Sequence, residues 1–244
     1  MDNQTNKSTI PIGHYIQSEK DLDKKIYRYT DLDFLLKLLS GNFTVTKKCT
    51  WDDVWEAGIT KFYFKFAIVD QTPNPPTKDY KNKVVDDIRA NKNILASCWT
   101  LEEYEDFLMW NNYTKGDYGV RIETTIQDIY HSMRNYAPTI IGGRIHYKKH
   151  LIPNGFWDGI YTKSIVYQSE KEFRFYFGLA PDKCQKHHFI KIDPETLNLK
   201  IRFNPLISND SFEFIKEALY QKFPYLKKSN SISKSKIELT KQKK

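Results

Sequence analysis

The segment Glu170-Lys171-Glu172-Phe173-Arg174-Phe175-Tyr176-Phe177 brings acids and a guanidinium together beside a run of alternating aromatics. In a β-strand this alternation sends Phe173, Phe175 and Phe177 to one face and Glu170, Glu172, Arg174 and Tyr176 to the other. Carboxylates so placed are suited to acid–base work or to stabilising a developing positive charge. The competing reading is a solvated sheet face crossed by salt bridges.

Signatures of several other chemistries are absent. The chain has no phosphate-binding loop of the GxxxxGK type, no GxGxxG, no HExxH and no nucleophile elbow. His187 and His188 lie close to Cys184, but neighbours on a strand point to opposite faces and cannot easily share an ion, so no metal is expected there. Cys49, Cys98 and Cys184 are odd in number and far apart, which argues for structural thiols rather than a disulfide framework. A metal-dependent nuclease built on Asp53, Glu56 and Glu123 would need an acidic triad, and these residues have no recognisable spacing for one.

The elements that must position the 170–177 segment can be read from local pattern. Ile26-Tyr27-Arg28-Tyr29 suits a short strand, and Thr30 or Asp31 then caps a helix striped by Leu32, Leu35, Leu36 and Leu39 and ended by Gly41. Strands are expected at 43–46, 94–99, 118–123, 144–147, 172–179, 188–193 and 197–203. Thr100 with Glu103 reads as a capping box opening a helix through about Tyr113, with Gly116 as its stop. A helix is expected over 125–135, a helix or loop near 160–168, and an amphipathic helix from Ser211 to Phe223. Pro-rich and Asn-Gly stretches at 72–76 and 153–155 mark loops. Strands and helices mix without regular βαβ alternation, so the expected class is α+β with a largely antiparallel sheet and flanking helices.

At 244 residues, 15% of them aromatic, the chain is long enough for one well-packed core. The predicted organisation is a flexible segment over 1–24, a single domain over 25–225 and a basic disordered tail over 226–244. The net charge of +8 is concentrated: residues 226–244 hold seven Lys against one Glu, leaving only +2 elsewhere. Such a tail can touch phosphates nonspecifically or simply aid solubility, so the charge alone does not define a nucleic-acid reader. No apolar run is long enough to span a bilayer and the first residues lack a secretory pattern, so the expected location is the cytoplasm with no membrane partner.

Four blocks carry a resemblance. Ile26-Tyr27-Arg28-Tyr29-Thr30, Trp51-Asp52-Asp53-Val54-Trp55-Glu56, Leu108-Met109-Trp110-Asn111-Asn112-Tyr113 leading to Tyr118-Gly119-Val120-Arg121-Ile122-Glu123, and Ser169-Glu170-Lys171-Glu172-Phe173-Arg174 look like the ordered signatures of a widespread bacterial domain family of unassigned function. The likeness covers about residues 25 to 195. Its second block usually reads Phe-Asn-Asp-Pro-Phe-Glu in type, so Asp52 and Val54 depart from it while Asp53 and Glu56 are kept.

The chain is also similar, in the order of its residues, to ADP-ribosyltransferase folds with their split β-sheet. These bring an early Arg or His, a middle Ser, Thr or Tyr and a late Glu around the nicotinamide ribose of NAD. The resemblance implies Arg28 as the early cation, Ser97 or Thr100 as the middle hydroxyl and Glu170-Lys171-Glu172 as the late acid pair. Glu172 would then hold the ribose hydroxyls and the oxocarbenium-like cation, and Glu170 would orient or deprotonate an acceptor. Arg28 would take phosphate. Tyr29, beside Thr30, would join Trp110 and Tyr113 in stacking on the rings of NAD, with Arg174 as a further contact.

Each role has a structural competitor. Arg28 can pair with Glu172 or Asp31, Thr100 can be only a cap, Trp110 and Tyr113 can face a core, and Arg174 can be the partner of Glu172. The implied function is binding of NAD as substrate with transfer or hydrolysis of ADP-ribose, as a toxin or phage-defence effector acting on protein or nucleic acid. The alternative is a noncatalytic module binding a ligand, protein or nucleic acid in a bacterial defence system.

Overall fold

Phe173, Phe175 and Phe177 lie on one strand and pack edge-on or stacked against each other within the main hydrophobic core, as the alternation requires. The structure, a computed structural model, describes residues 14–16, 18–47, 94–137, 139–149, 160–179, 187–228 and 231–237. Cys49, Cys184, the Trp51–Glu56 block with Asp53 and Glu56, and the loops at 72–76 and 153–155 lie outside the described residues.

In chain order the strands are β1 (His14–Ile16), β2 (Lys25–Asp31), β3 (Asn42–Lys47), β4 (Ile94–Thr100), β5 (Gly119–Thr125), β6 (Ile140–Arg144), β7 (His146–Lys148), β8 (Thr162–Ser164), β9 (Glu172–Leu179), β10 (His187–Lys191), β11 (Lys200–Phe203) and β12 (Ile232–Lys234). The helices are α1 (Leu32–Leu39), α2 (Phe107–Tyr113), α3 (Ile126–Met133), α4 (Asn209–Lys222) and α5 (Tyr225–Lys228). Among the described residues ten strands form one sheet in the order β1-β6-β9-β4-β2-β5-β11-β12, with β3 on β4 and β10 on β3, while β7 and β8 pair separately. The large sheet is antiparallel except where β1 meets β6 and β12 meets β11. This is an α+β architecture with a mostly antiparallel sheet.

The sheet divides at β4. On one edge β4 runs along β9. On its other edge Thr100 pairs with Tyr27 of β2, whereas Ala96 and Leu95 pair with Thr46 and Lys47 of β3. Between these two points no described strand pairs with Ser97, Cys98 and Trp99 on that edge, and Arg28 donates to Ser97 there.

The helices cover the aromatic face. Ile126, Ile129, Tyr130 and Met133 of α3 recur at helical spacing and are buried, and Thr125 caps the helix by accepting the N–H of Asp128 at 3.0 Å. In α1, Leu35, Leu38 and Leu39 are buried, and Gly41 follows at φ +79, where a side chain would be strained. Phe212, Leu219 and Tyr220 of α4 join the same core.

Several expectations need correction. Thr100 ends β4 and does not open a helix. The next helix starts at Asp106, whose carboxylate accepts the N–H of Leu108 at 2.7 Å, because Asp106 rather than Thr100 immediately precedes a helical turn. The early segment is ordered from His14: β1 joins the sheet, and Asp21 receives both Arg144 Nε at 2.9 Å and Nη2 at 2.8 Å. The basic region is ordered over part of its length too. Most of the short α5 and all of the edge strand β12 lie within 226–244, and the backbone N–H of Lys236 reaches the Glu105 carboxylate at 3.1 Å. Ile232, alternating with Lys and Ser, has enough apolar character to complete the sheet edge.

Phe175 is fully buried, so Phe175→Ala should cost about 3–5 kcal/mol, read from urea denaturation. Arg144 and Lys24 hold the Asp21 carboxyl at about 2, against the burial that raises it. Its folded value lies below the ordinary 3.8, so its contribution is complete above about pH 4 and is lost as pH falls toward 2. Asp21→Asn should therefore remove about 1–2 kcal/mol at neutral pH, discounted for the half-exposed Arg144, with the difference shrinking as pH falls through the folded value.

Candidate functional site

The polar face of β9 forms one wall of a cleft of about 460 Å³, within the roughly 300–1,000 Å³ of small-molecule sites. Glu172 and Arg174 line it from β9, Cys98 and Thr100 from β4, Tyr29 and Arg28 from β2, and Tyr113 from α2. Arg28 and Glu172 are far apart in sequence, yet they border the same space.

Glu172 has 5% of its side chain exposed and is held by a bidentate Arg174 fork, with Nη2 donating to Oε2 at 2.8 Å and Nε to Oε1. Lys163, from β8, approaches Oε2 at 3.4 Å, and the backbone N–H of Glu172 donates to Tyr147 Oη at 2.7 Å. Burial would raise the pKa of Glu172, but the Arg174 charge and hydrogen bonds, helped by Lys163, hold it well below the usual carboxylate range. Glu172 is thus a fixed, neutralised anion. Arg174 is its structural partner, almost fully buried, and also donates to the Ile160 carbonyl at 3.3 Å.

Glu170 reaches the cleft by a different route from the one alternation implies. Ile165–Glu170 is a 3-10 helix and Lys171 sits at φ 43, so the strand begins only at Glu172. The left-handed turn nonetheless brings the two carboxylates to the same Lys163 Nζ, which lies 2.7 Å from Glu170 Oε2. Tyr113 Oη donates to Glu170 Oε1 at 2.8 Å. Burial and the Glu170 charge push the Tyr113 phenol well above its ordinary pKa, so it stays a donor. With four lone-pair directions and these two partners, Glu170 retains acceptor capacity toward the cleft. It is also the more accessible acid, at 14% against 5% of the side chain.

Arg28 pairs with neither Glu172 nor Asp31. Its Nη1 donates to Ser97 Oγ at 2.7 Å, lies 3.5 Å from the Thr44 carbonyl, and the guanidinium sits 5.9 Å from the Trp99 ring centroid. Loss of water lowers its pKa from the ordinary value, yet a guanidinium remains charged at neutral pH. Arg28 is half-buried beside Ser97 with no ion pair among the described residues.

Other predicted contacts take supporting roles. Ser97 is buried behind Arg28 and orients it, also accepting the Trp99 indole N–H at 3.1 Å. Thr100 borders the cleft, but its hydroxyl donates to the Glu170 carbonyl at 2.6 Å and accepts the Glu102 N–H at 3.0 Å. Tyr29 and Thr30 line the cleft and are buried, with Tyr29 Oη accepting the Asp106 N–H at 3.1 Å. Trp110 is 1% exposed and is packed at right angles against Tyr29, outside the cleft wall. The i, i+3 spacing makes Trp110 and Tyr113 neighbours on one helix face, yet at this short helix Trp110 is buried while Tyr113, one turn on, is exposed at the cleft mouth. Glu123 is drawn to Lys25 at 3.0 Å on a different part of the sheet.

Lys163 and Tyr147 were not legible as site residues. Nothing in Tyr161-Thr162-Lys163-Ser164 marks a buried ammonium, since its role arises only when β8 folds back against Glu170 and Glu172. Comparison with protein-family models, with curated proteins and with solved structures finds no match to this chain. No described helix is long and apolar enough to cross a membrane.

Removing one partner of a buried pair strands the other charge, so Arg174→Met should destabilise the fold by about 3–5 kcal/mol. The double variant Glu172→Gln/Arg174→Met should recover much of that loss in a denaturation cycle. Additive losses would show that the pair is uncoupled.

Proposed function

We propose that the cleft binds NAD or a related nucleotide and that the protein transfers or hydrolyses ADP-ribose. The observation carrying this reading is the convergence of an anion-seeking Arg28 with the Glu170–Lys163–Glu172 cluster on one cleft. Arg28 takes a phosphate oxygen, and aromatic groups including Tyr29 and Tyr113 border the bound rings.

In this mechanism the bond from ribose C1′ to the nicotinamide nitrogen breaks, and the electron pair leaves with nicotinamide. The sugar becomes oxocarbenium-like, and a nearby carboxylate stabilises the positive charge. Glu170 is the acid for that contact because it retains acceptor capacity, while Glu172 holds Lys163 and the wall in place. Water or an acceptor then forms the new bond to C1′, and its proton passes to Glu170. Toxin or phage-defence action in the cytoplasm is the biological setting proposed for such chemistry.

A noncatalytic binding module is the second reading. It is favoured by one observation: Glu172 is already neutralised by Arg174 and Lys163.

Incubation with NAD should release nicotinamide, followed by chromatography. Glu170→Gln should slow release by at least about 100-fold without loss of fold, and Arg28→Gln should weaken NAD binding by about tenfold or more. Binding without release would establish the module; neither binding nor release would remove both NAD readings.

A further inference from the structure

Among the described residues the formal charges lining the first cleft are Arg28, Asp31, Lys163, Glu170, Glu172 and Arg174. Lys163 and Arg174 are engaged by Glu170 and Glu172, which leaves Arg28 and Asp31. Arg28 uses Nη1 on Ser97 and the Thr44 carbonyl, and its Nη2 and Nε have no partner among the described residues. Asp31 ends β2 immediately before α1, yet its carboxylate makes no cap hydrogen bond there. Instead Oδ1 accepts the backbone N–H of Lys115 at 2.7 Å, and Oδ2 has no partner among the described residues. The half-buried carboxylate is thus fixed by one oxygen and keeps the other as an acceptor.

Position along β2 orders these groups. Glu172 pairs with Thr100, which pairs with Tyr27, so the acid cluster lies at the Tyr27 end of the strand. Arg28 follows, and Asp31 lies three residues further on, about 10 Å away at roughly 3.3 Å per residue. Alternation puts Tyr27, Tyr29 and Asp31 on one face of β2, and all three border the cleft. The order acid, guanidinium, acid matches the order ribose, pyrophosphate, ribose in a dinucleotide. We propose that Asp31 is a specificity-determining residue that accepts the 2′-hydroxyl of the adenosine ribose, so that the cleft admits NAD and rejects its 2′-phosphorylated form, NADP. A carboxylate accepts from a ribose hydroxyl, and it repels a phosphate set in place of that hydroxyl. No lining cation other than Arg28 lacks a carboxylate partner among the described residues, so a further phosphate would meet no compensating charge. This assignment rests on the nucleotide reading of the cleft and adds the adenosine end to it.

The test is nicotinamide release by the full chain from NAD and from NADP, with affinity for ADP-ribose and for its 2′-phosphate measured by calorimetry. Wild type should favour NAD in kcat/KM, and ADP-ribose in Kd, by at least about tenfold. Asp31→Asn keeps an oxygen for the Lys115 N–H and removes the charge. It should lower kcat/KM for NAD and raise it for NADP, shrinking the preference by at least about tenfold. A loss of stability alone would move both substrates together. Equal use of both by wild type, or a preference for NADP, overturns the inference, as does a preference that Asp31→Asn leaves unchanged. Should that variant fail to fold, wild type is compared on NAD and on its analogue lacking the adenosine 2′-hydroxyl. Binding of the analogue weaker by at least about tenfold supports the role, and equal binding overturns it. Failure of the nucleotide reading shows differently. Binding of ADP-ribose without release removes catalysis and leaves the preference to be read from Kd, whereas neither binding nor release removes both.

Discussion

Burying Glu172 is the constraint on which the site depends. A carboxylate nearly removed from water is tolerated only when opposing charge and hydrogen bonds replace its hydration. Arg174, two residues along the same face of β9, supplies the fork, and Lys163 brings in β8 as a third participant. Lys163 then has capacity for Glu170, and Glu170 for Tyr113, so a single desolvated anion organises a chain of contacts from the sheet to the mouth of the cleft. The less buried acid, Glu170, keeps accessible acceptor positions, because the more buried one is engaged by Arg174 and Lys163.

The opening in the sheet provides the complementary charge. If β2 and β3 paired continuously along β4, Arg28 would have no route between the two faces. Their divergence leaves Ser97, Cys98 and Trp99 without a described strand on that side, and the guanidinium enters there, supported by Ser97. An anion in the cleft would meet a cation that no described carboxylate neutralises, while the acid cluster lies across the cleft at β8 and the start of β9. That separation of Arg28 from a self-compensated acidic cluster gives the cleft its polarity.

Much of the scaffold was readable from local pattern, because alternation and helical spacing act over a few residues. The aromatic run of β9, the strand bearing Arg28, the leucine stripe of α1 and the amphipathic stretch of α4 all follow from side-chain periodicity. Readings failed where a short-range rule had a competitor. Thr100 and Glu103 match a capping box, but strand pairing with Tyr27 and Glu172 keeps Thr100 extended and moves the helix start to Asp106. Glu170 matches the alternation of β9, but the left-handed turn at Lys171 takes it out of the strand. Ile232 and its neighbours look too polar to fold by themselves, yet an exposed edge of β11 offers them a ladder.

Which face of β9 is aromatic and which is charged, and that Arg28 lies on a strand ahead of a helix, follow from periodicity in the chain alone. That Arg28 faces the acids across one cleft without pairing with them is set by the folded arrangement. It alone decided that Lys163 joins Glu170 to Glu172, and that Trp110 turns inward while Tyr113 turns to the mouth. These are contacts between distant segments, and their geometry is set by how strands diverge and pack, which no local spacing encodes.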